Sequence, residues 1–366
     1  MKSRLERYAH FIDKEYRAGL TKADEYSLEG LTEDMRSRFE HGQFKRIVFT
    51  GMGCSAIVSD IVRGYFAEIG SPIEVHVLND YDFRFVAPRS VLEDETTLFI
   101  ISSYSGHSQE PIRAFEGLRD VQHRVLLLTS GGKLAELGRQ AGASIVYWRL
   151  REPDREYPLF HVSQYFAILM DMFHQFGLID NDHRGELAEL ADRLEEDFGP
   201  KQRVVDHLVA ASTDANIVLI GAPKWHESLL KLCKMHINEM AMAPATRNYF
   251  HEFCHSEVAT LSDPERRHSI IWFADNDDDE YTLVKGENLV RLLSSRSPEN
   301  RNVAINRVDL DQPGFLRKYF NALNIVQHVS LGLGRYYDTK SRDLISEAAG
   351  NQWYHSTTIE TEEQAT

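Results

Sequence analysis

Short apolar runs rich in β-branched and aromatic side chains recur along this chain, separated by stretches of helical length and pattern. RIVFT from Arg46, IEVHVL from Ile73, TLFIIS from Thr97, RVLLLT from Arg124 and SIVYW from Ser144 make one series. A brief, continuous apolar run marks a strand buried on both faces, and its alternation with helices marks a parallel sheet covered on both sides. This predicts one α/β domain of five strands. Helical patterns follow from about Val162 to Gly177 and from His183 to Phe198, and Gly199-Pro200 supplies a helix stop. The strand pattern then restarts with NIVLIG from Asn216, SIIWFA from Ser269 and NVAINRV from Asn302. The expected architecture is therefore two doubly wound parallel-sheet domains, each a three-layer αβα sandwich. A length of 366 residues agrees, because single hydrophobic cores stop growing at roughly 250 to 300 residues. The expected divisions are a helical segment over 1–45, a first domain over 46–180 and a second over 200–352. Leu5, Tyr8, Phe11 and Ile12 recur at helical spacing in the first segment. HSTTIETEEQAT at the C-terminus reads as a frayed tail.

Charge and cysteine usage narrow the function classes. A formal charge of -15 works against any ligand that needs a broad basic surface, such as nucleic acid or an anionic membrane. A single phosphate is not excluded, since backbone amides, hydroxyls and a helix N-terminus can hold it. Cys54, Cys233 and Cys254 lack the number and spacing of a disulfide framework, so a reducing, cytoplasmic setting is expected. The charged N-terminus has no apolar core and no apolar run reaches about 18 residues, so neither export nor anchoring is expected. The acidic stretch DNDDDE after Ala274 is expected to be a solvated loop, with room for a weakly bound cation.

Two loops carry candidate chemistry. In TGMGCSA the opening strand runs through Gly51, Gly53 and Ser55 into a helix. Glycine lets the backbone approach an anion, and the helix presents free amides. The same residues satisfy a dinucleotide fingerprint, with Asp80 where a ribose-binding acid would stand, and an ordinary strand-to-helix turn fits as well. The third strand ends in Ser103-Tyr104-Ser105-Gly106-His107-Ser108, again opening a helix. One of these hydroxyls, Ser108 above all, is expected as an N-cap. Three of them beside the glycine loop are better explained by a phosphate monoester shared between two loops. A nicotinamide enzyme does not need the second loop.

TGMGCSA, NDY from Asn79 and SSYSGHSQE together resemble the sugar isomerase (SIS) domain, and more narrowly the bifunctional phosphoglucose/phosphomannose isomerase family. The resemblance implies Gly53, Ser55, Ser103, Ser105 and Ser108 as phosphate-binding positions. It extends to HINEMAMAPATRNYFHEFCHSE, where it implies Glu239 as the base that moves a proton between C1 and C2 and His255 as the group that helps open the sugar ring. In related enzymes such a histidine comes from the partner subunit, so a homodimer is implied. Aldose-ketose chemistry through an enediolate needs one carboxylate base and one group that exchanges protons near neutrality, and no metal or redox cofactor.

His251-Glu252-Phe253-Cys254-His255 also satisfies H-E-x-x-H, but Val258 and Leu261 break the longer zinc-peptidase pattern, and a zinc hydrolase leaves the serine loop unexplained. Other departures are specific. Cys54 stands for a usual glycine, His107 for an asparagine and Ser108 for a threonine. Pro158-Leu159 stands where the family has Pro-Arg, with Arg151 or Arg155 as substitutes, and SRDLISEAAGNQW lacks the family's C-terminal lysine. Losing cations weakens oxyanion stabilisation. The sequence therefore predicts an isomerase for glucose 6-phosphate, mannose 6-phosphate or a related phosphosugar, with a noncatalytic phosphosugar sensor as the main alternative and a nicotinamide dehydrogenase or zinc hydrolase behind it.

Overall fold

A computed structural model describes residues 3–12, 16–23, 25–150, 158–295 and 301–339. The first sheet contains β1 (Tyr26–Ser27), β2 (Arg46–Thr50), β3 (Glu74–Val77), β4 (Thr97–Ser102), β5 (Val125–Thr129) and β6 (Ser144–Trp148), in the order β1-β6-β5-β4-β2-β3. All five expected strands are present and mutually parallel. The sixth is a correction to the expected all-helical N-terminal segment. Helices Arg4–His10, Tyr16–Leu20 and Glu33–Glu40 are interrupted by β1, which pairs antiparallel with β6 and is secured by the Tyr26 hydroxyl donating to Asp171 at 2.7 Å.

The second sheet contains β7 (Asn216–Gly221), β8 (Ala245–Tyr249), β9 (His268–Asp275) and β10 (Val303–Leu310), in the order β10-β9-β7-β8, all parallel. β8 was not expected. Its sequence, ATRNY, is polar and only Ala245 is fully buried, because it forms the sheet edge.

Alternate residues along each strand enter different cores, as the two-residue period requires. Ile47, Phe49, Leu98, Ile100, Leu126 and Leu128 face one side of the first sheet, while Val48, Phe99, Ile101 and Leu127 face the other. The first of these cores is shared: Leu219, Ile271, Phe273 and Leu310 of the second sheet belong to it. Helices Cys54–Glu68 and Val162–Gln175 from one side and Gln202–Ser212 and Phe315–Tyr336 from the other fill this common layer. Phe166 lies 5.9 Å from Phe320, ring centre to ring centre, and a Cβ on Gly64 would come within 2.7 Å of the Phe315 ring. The N-terminal helix also crosses over: the Tyr8 hydroxyl donates to the Gln327 carbonyl at 3.1 Å and meets His236 Nδ1 at 3.0 Å. Gly199-Pro200 interrupts the helical run for about one turn, and a helix resumes at Gln202.

The acidic stretch is not simply solvated. Asp275 ends β9 with no exposure, and its carboxylate meets Lys224 at 2.6 Å, Lys318 at 2.5 Å and the Trp225 indole N–H at 3.0 Å. Asp277 pairs with Lys318, and Asp279 caps the Glu280–Ser294 helix by accepting from the Thr282 amide at 3.0 Å. Cations from distant elements, invisible to local composition, hold Asp275 inside, while Asp277 and Asp279 stay exposed as expected of such a stretch.

Candidate active site

In a doubly wound sheet, ligands bind outside the carboxyl ends of the strands where the strand order reverses. In the first sheet that point lies between β2 and β4, and both candidate loops occupy it. A Cβ on Gly51 would sit 3.0 Å from the Ser102 carbonyl oxygen and 3.2 Å from Ser55 Cβ, so the glycine loop lies against the end of β4. Gly53 turns the chain from β2 into the Cys54–Glu68 helix at φ 56° and ψ −129°, a conformation restricted to glycine in practice. Ser55 stands half-buried in the first helical turn.

The serine loop is braced from behind. The Ser130 amide and hydroxyl donate to the Tyr104 carbonyl at 2.9 and 2.7 Å, and the Leu134 amide donates to the Gly106 carbonyl at 2.9 Å. Tyr165 donates to Ser102 Oγ at 2.5 Å. Gly106 has φ 68°, and a Cβ there would lie 2.0 Å from the Gly131 carbonyl oxygen. Gly106→Ala is therefore expected to cost about 1–3 kcal/mol in a denaturant titration and to weaken sugar-phosphate binding at the same time.

The hydroxyls are not consumed by the fold. Ser103 Oγ is buried at the end of β4 and has no hydrogen-bond partner among the described residues, so the fold leaves this hydroxyl available to a ligand. Ser105 is exposed, and its Oγ accepts from the His107 amide at 3.3 Å. Ser108 occupies the N-cap position of the Gln109–Gly117 helix but forms no side-chain cap hydrogen bond, contrary to the expected capping role. His107 is exposed. Asp80, the candidate ribose acid, instead starts the Asp80–Phe85 helix and pairs with Arg113 at 3.2 Å.

Glu239 arrives from the other half of the chain. It is half-buried in Ile237–Ala241, a stretch wound as a π-helix, which closes on Met242 in the left-handed conformation at φ 51°. π-turns and left-handed non-glycine residues are both costly and concentrate at functional sites. Burial pushes the Cys54 thiol up, and the charge of Glu239 raises it further, so the carboxylate is within electrostatic reach of the first residue after Gly53.

Among the described residues, no hydrogen bond, ion pair or ring contact joins His255 to either loop. It stands exposed at the end of the Phe250–His255 helix, while His251, one turn earlier, meets the Thr282 hydroxyl at 2.9 Å and stacks on Tyr281. Among the described residues no group of three or more His, Cys, Asp or Glu is arranged to hold a metal ion. Arg151, Arg155 and the SRDLISEAAGNQW stretch lie outside the described residues. Leu159 is buried in the shared core, so its position supplies a packing contact in place of the family's cation.

Residues 43–146 match the SIS domain, and residues 207–344 match the bacterial phospho-glucose isomerase C-terminal SIS domain. The chain is a SIS-domain protein. It resembles bifunctional phosphoglucose/phosphomannose isomerases along most of its length. The protein of that name from Caldicellulosiruptor bescii is 24% identical over 333 residues, which cover 85% of this chain and 93% of that one. Its counterpart from Thermoplasma acidophilum is 28% identical over 306 residues, covering 84% and 88%. Tagatose-6-phosphate ketose/aldose isomerase from Escherichia coli shares the fold, with a TM-score of 0.66 at 16% identity over 91% of this chain and 93% of that one. So does the C-terminal domain of glucosamine-fructose-6-phosphate aminotransferase from Francisella tularensis, with a TM-score of 0.62 at 12% identity over 92% and 97%.

The two SIS sheets differ at their strand-order reversals. Between β7 and β9 of the second, the Asp275 carboxylate and its two lysines occupy the place that the serine loop has in the first. Burial alone would raise this carboxyl; hydrogen bonds from Lys224 and Lys318 outweigh it and hold Asp275 below the ordinary aspartate range. The second crevice thus contains the chain's own anion. Sequence reading missed this network, and also the Asp60–Lys231 and Glu227–Arg247 pairs, because each joins elements remote in sequence.

Proposed function

We propose that this SIS protein is a sugar-phosphate isomerase that interconverts an aldose and a ketose phosphate through an enediolate. The phosphoryl group sits in the crevice between β2 and β4, held by Ser55, Ser103, Ser105 and Ser108, by the amides after Gly53, and by the N-termini of the two helices that start there. The Glu239 carboxylate removes the proton from C2 of the open-chain aldose and returns it to C1, and the reverse reaction uses the same group. His255 assists ring opening from the partner subunit of a homodimer. Its exposed position at a helix end suits a residue that completes a neighbour's site. The three free thiols fit a reducing cytoplasm.

The observation that supports this reading is that the charge of Glu239 reaches the Cys54 thiol at the start of the helix after the glycine loop, although the two are far apart in sequence. The names of the relatives support the reaction class, with glucose 6-phosphate, mannose 6-phosphate and fructose 6-phosphate as the first substrates to examine. Proton NMR in deuterated water with a panel of aldose and ketose phosphates tests it. Deuterium is expected at C2 of the aldose or C1 of the ketose. Bound sugar phosphate without exchange would overturn the enzyme reading and leave a phosphosugar sensor, an alternative favoured by the buried Leu159 where an oxyanion-stabilising cation is expected.

A further inference from the structure

The phosphate loop and the base stand on two helices that belong to different domains, and one ion-pair network joins them. Cys54–Glu68 begins at the phosphate loop. The helical run from Pro223 through Ala241 carries Glu239 near its end. The charge of Glu239 acts on the Cys54 thiol at the start of the first helix. Further along, Lys231 Nζ approaches Asp60 Oδ2 at 3.6 Å. The Cys54–Glu68 helix thus packs against the His226–His236 stretch of the second run, and the Asp60–Lys231 pair joins the two.

Asp60 is a costly residue to place there. Its side chain is only 3% exposed, and burial pushes its carboxyl up to about 6, opposed by Arg63 and Lys231. Arg63 on the same helix pairs with Asp60 Oδ1 at 2.9 Å, so the helix partly satisfies its own carboxylate. The second cation comes from the other domain. Lys231 is itself held by Glu227 at 3.7 Å, and Glu227 takes a two-pronged contact from Arg247 of β8 at 3.0 and 3.1 Å. A chain of alternating charges therefore runs from the edge of the second sheet to the helix that opens at the phosphate site.

We propose that Asp60 and Lys231 are positioning residues that fix the distance between the phosphate crevice and Glu239. This rests on Glu239 being the base. An error of about 1 Å between a bound substrate and its base can cost on the order of a hundredfold in rate, so a strut between the two helices acts on turnover and leaves phosphate capture intact.

The test compares Lys231→Met, Lys231→Arg and Asp60→Asn with the parent chain by steady-state isomerisation and by alkylation of Cys54 with iodoacetamide, followed by peptide mass spectrometry with buried Cys233 as internal control. For Lys231→Met and Asp60→Asn the expected result is a kcat lower by about tenfold or more with KM within about twofold, and faster Cys54 labelling. Lys231→Arg should restore both. Asp60→Asn keeps the shape without stranding a buried charge, so it stands if Lys231→Met fails to fold. Parent-like kcat and labelling in both folded variants would overturn the proposal. If the parent chain turns over no sugar phosphate, the Glu239 reading fails, while Cys54 labelling still decides whether the pair clamps the two helices.

Discussion

Glu239→Gln is expected to lower isomerisation and solvent-proton exchange by about 10²–10⁴-fold while sugar-phosphate affinity stays within a few-fold of the parent chain. The amide has the size and shape of the carboxylate but accepts no proton from carbon, so an enediolate cannot form by this route. In the proposed site, phosphate capture falls to Ser103, Ser105, Ser108 and the helix amides, which the substitution leaves in place. Cys54 offers a second measurement on the same variant. Burial is the larger cause of its raised thiol and remains; removing the second cause, the neighbouring charge, should lower the thiol somewhat, seen as modestly faster alkylation at fixed pH. Exchange at parent rates in Glu239→Gln would assign the base elsewhere.

Asp275→Ala is expected to cost about 3–5 kcal/mol in a chemical denaturation experiment, the largest effect on stability anticipated for any single residue here. The carboxylate is fully buried, and its removal leaves the Trp225 indole N–H without its acceptor and the 3%-exposed Lys318 side chain with Asp277 alone. The pH dependence follows from the direction of the Asp275 shift. Its carboxyl is held below the unfolded value of about 3.9, so its stabilisation is fully present above that pH and disappears as pH falls through the lower, folded value. The parent chain should lose stability more steeply than Asp275→Ala in this acidic window. Similar slopes would mean that the carboxylate is not a net contributor.

Much of the first domain was legible because its signals are local. RIVFT, TLFIIS, RVLLLT and SIVYW bury both faces, so an uninterrupted apolar run announces each strand. The glycine and serine loops were legible for the same reason: chain order alone sets a tight turn at Gly53 or a hydroxyl at a helix start. β8 was not, because an edge strand needs no apolar run and ATRNY has none. In the acidic stretch only Asp275 departs from the expected solvation, because Lys224 and Lys318 are brought to it from remote segments. Ser108 was expected to cap its helix, yet its hydroxyl makes no such bond.

The sequence by itself determined the periodicities, hence two parallel sheets, and the turn chemistry that opens one sheet to an anion. Only the tertiary structure decided that the Cys54–Glu68 helix packs against the run bearing Glu239, with Asp60 against Lys231. Periodicity and turn preference depend on neighbours along the chain. The pairing of two helices from different domains depends on how Phe166, Phe315, Phe320 and the rest of the shared core fill space together, which no local pattern encodes.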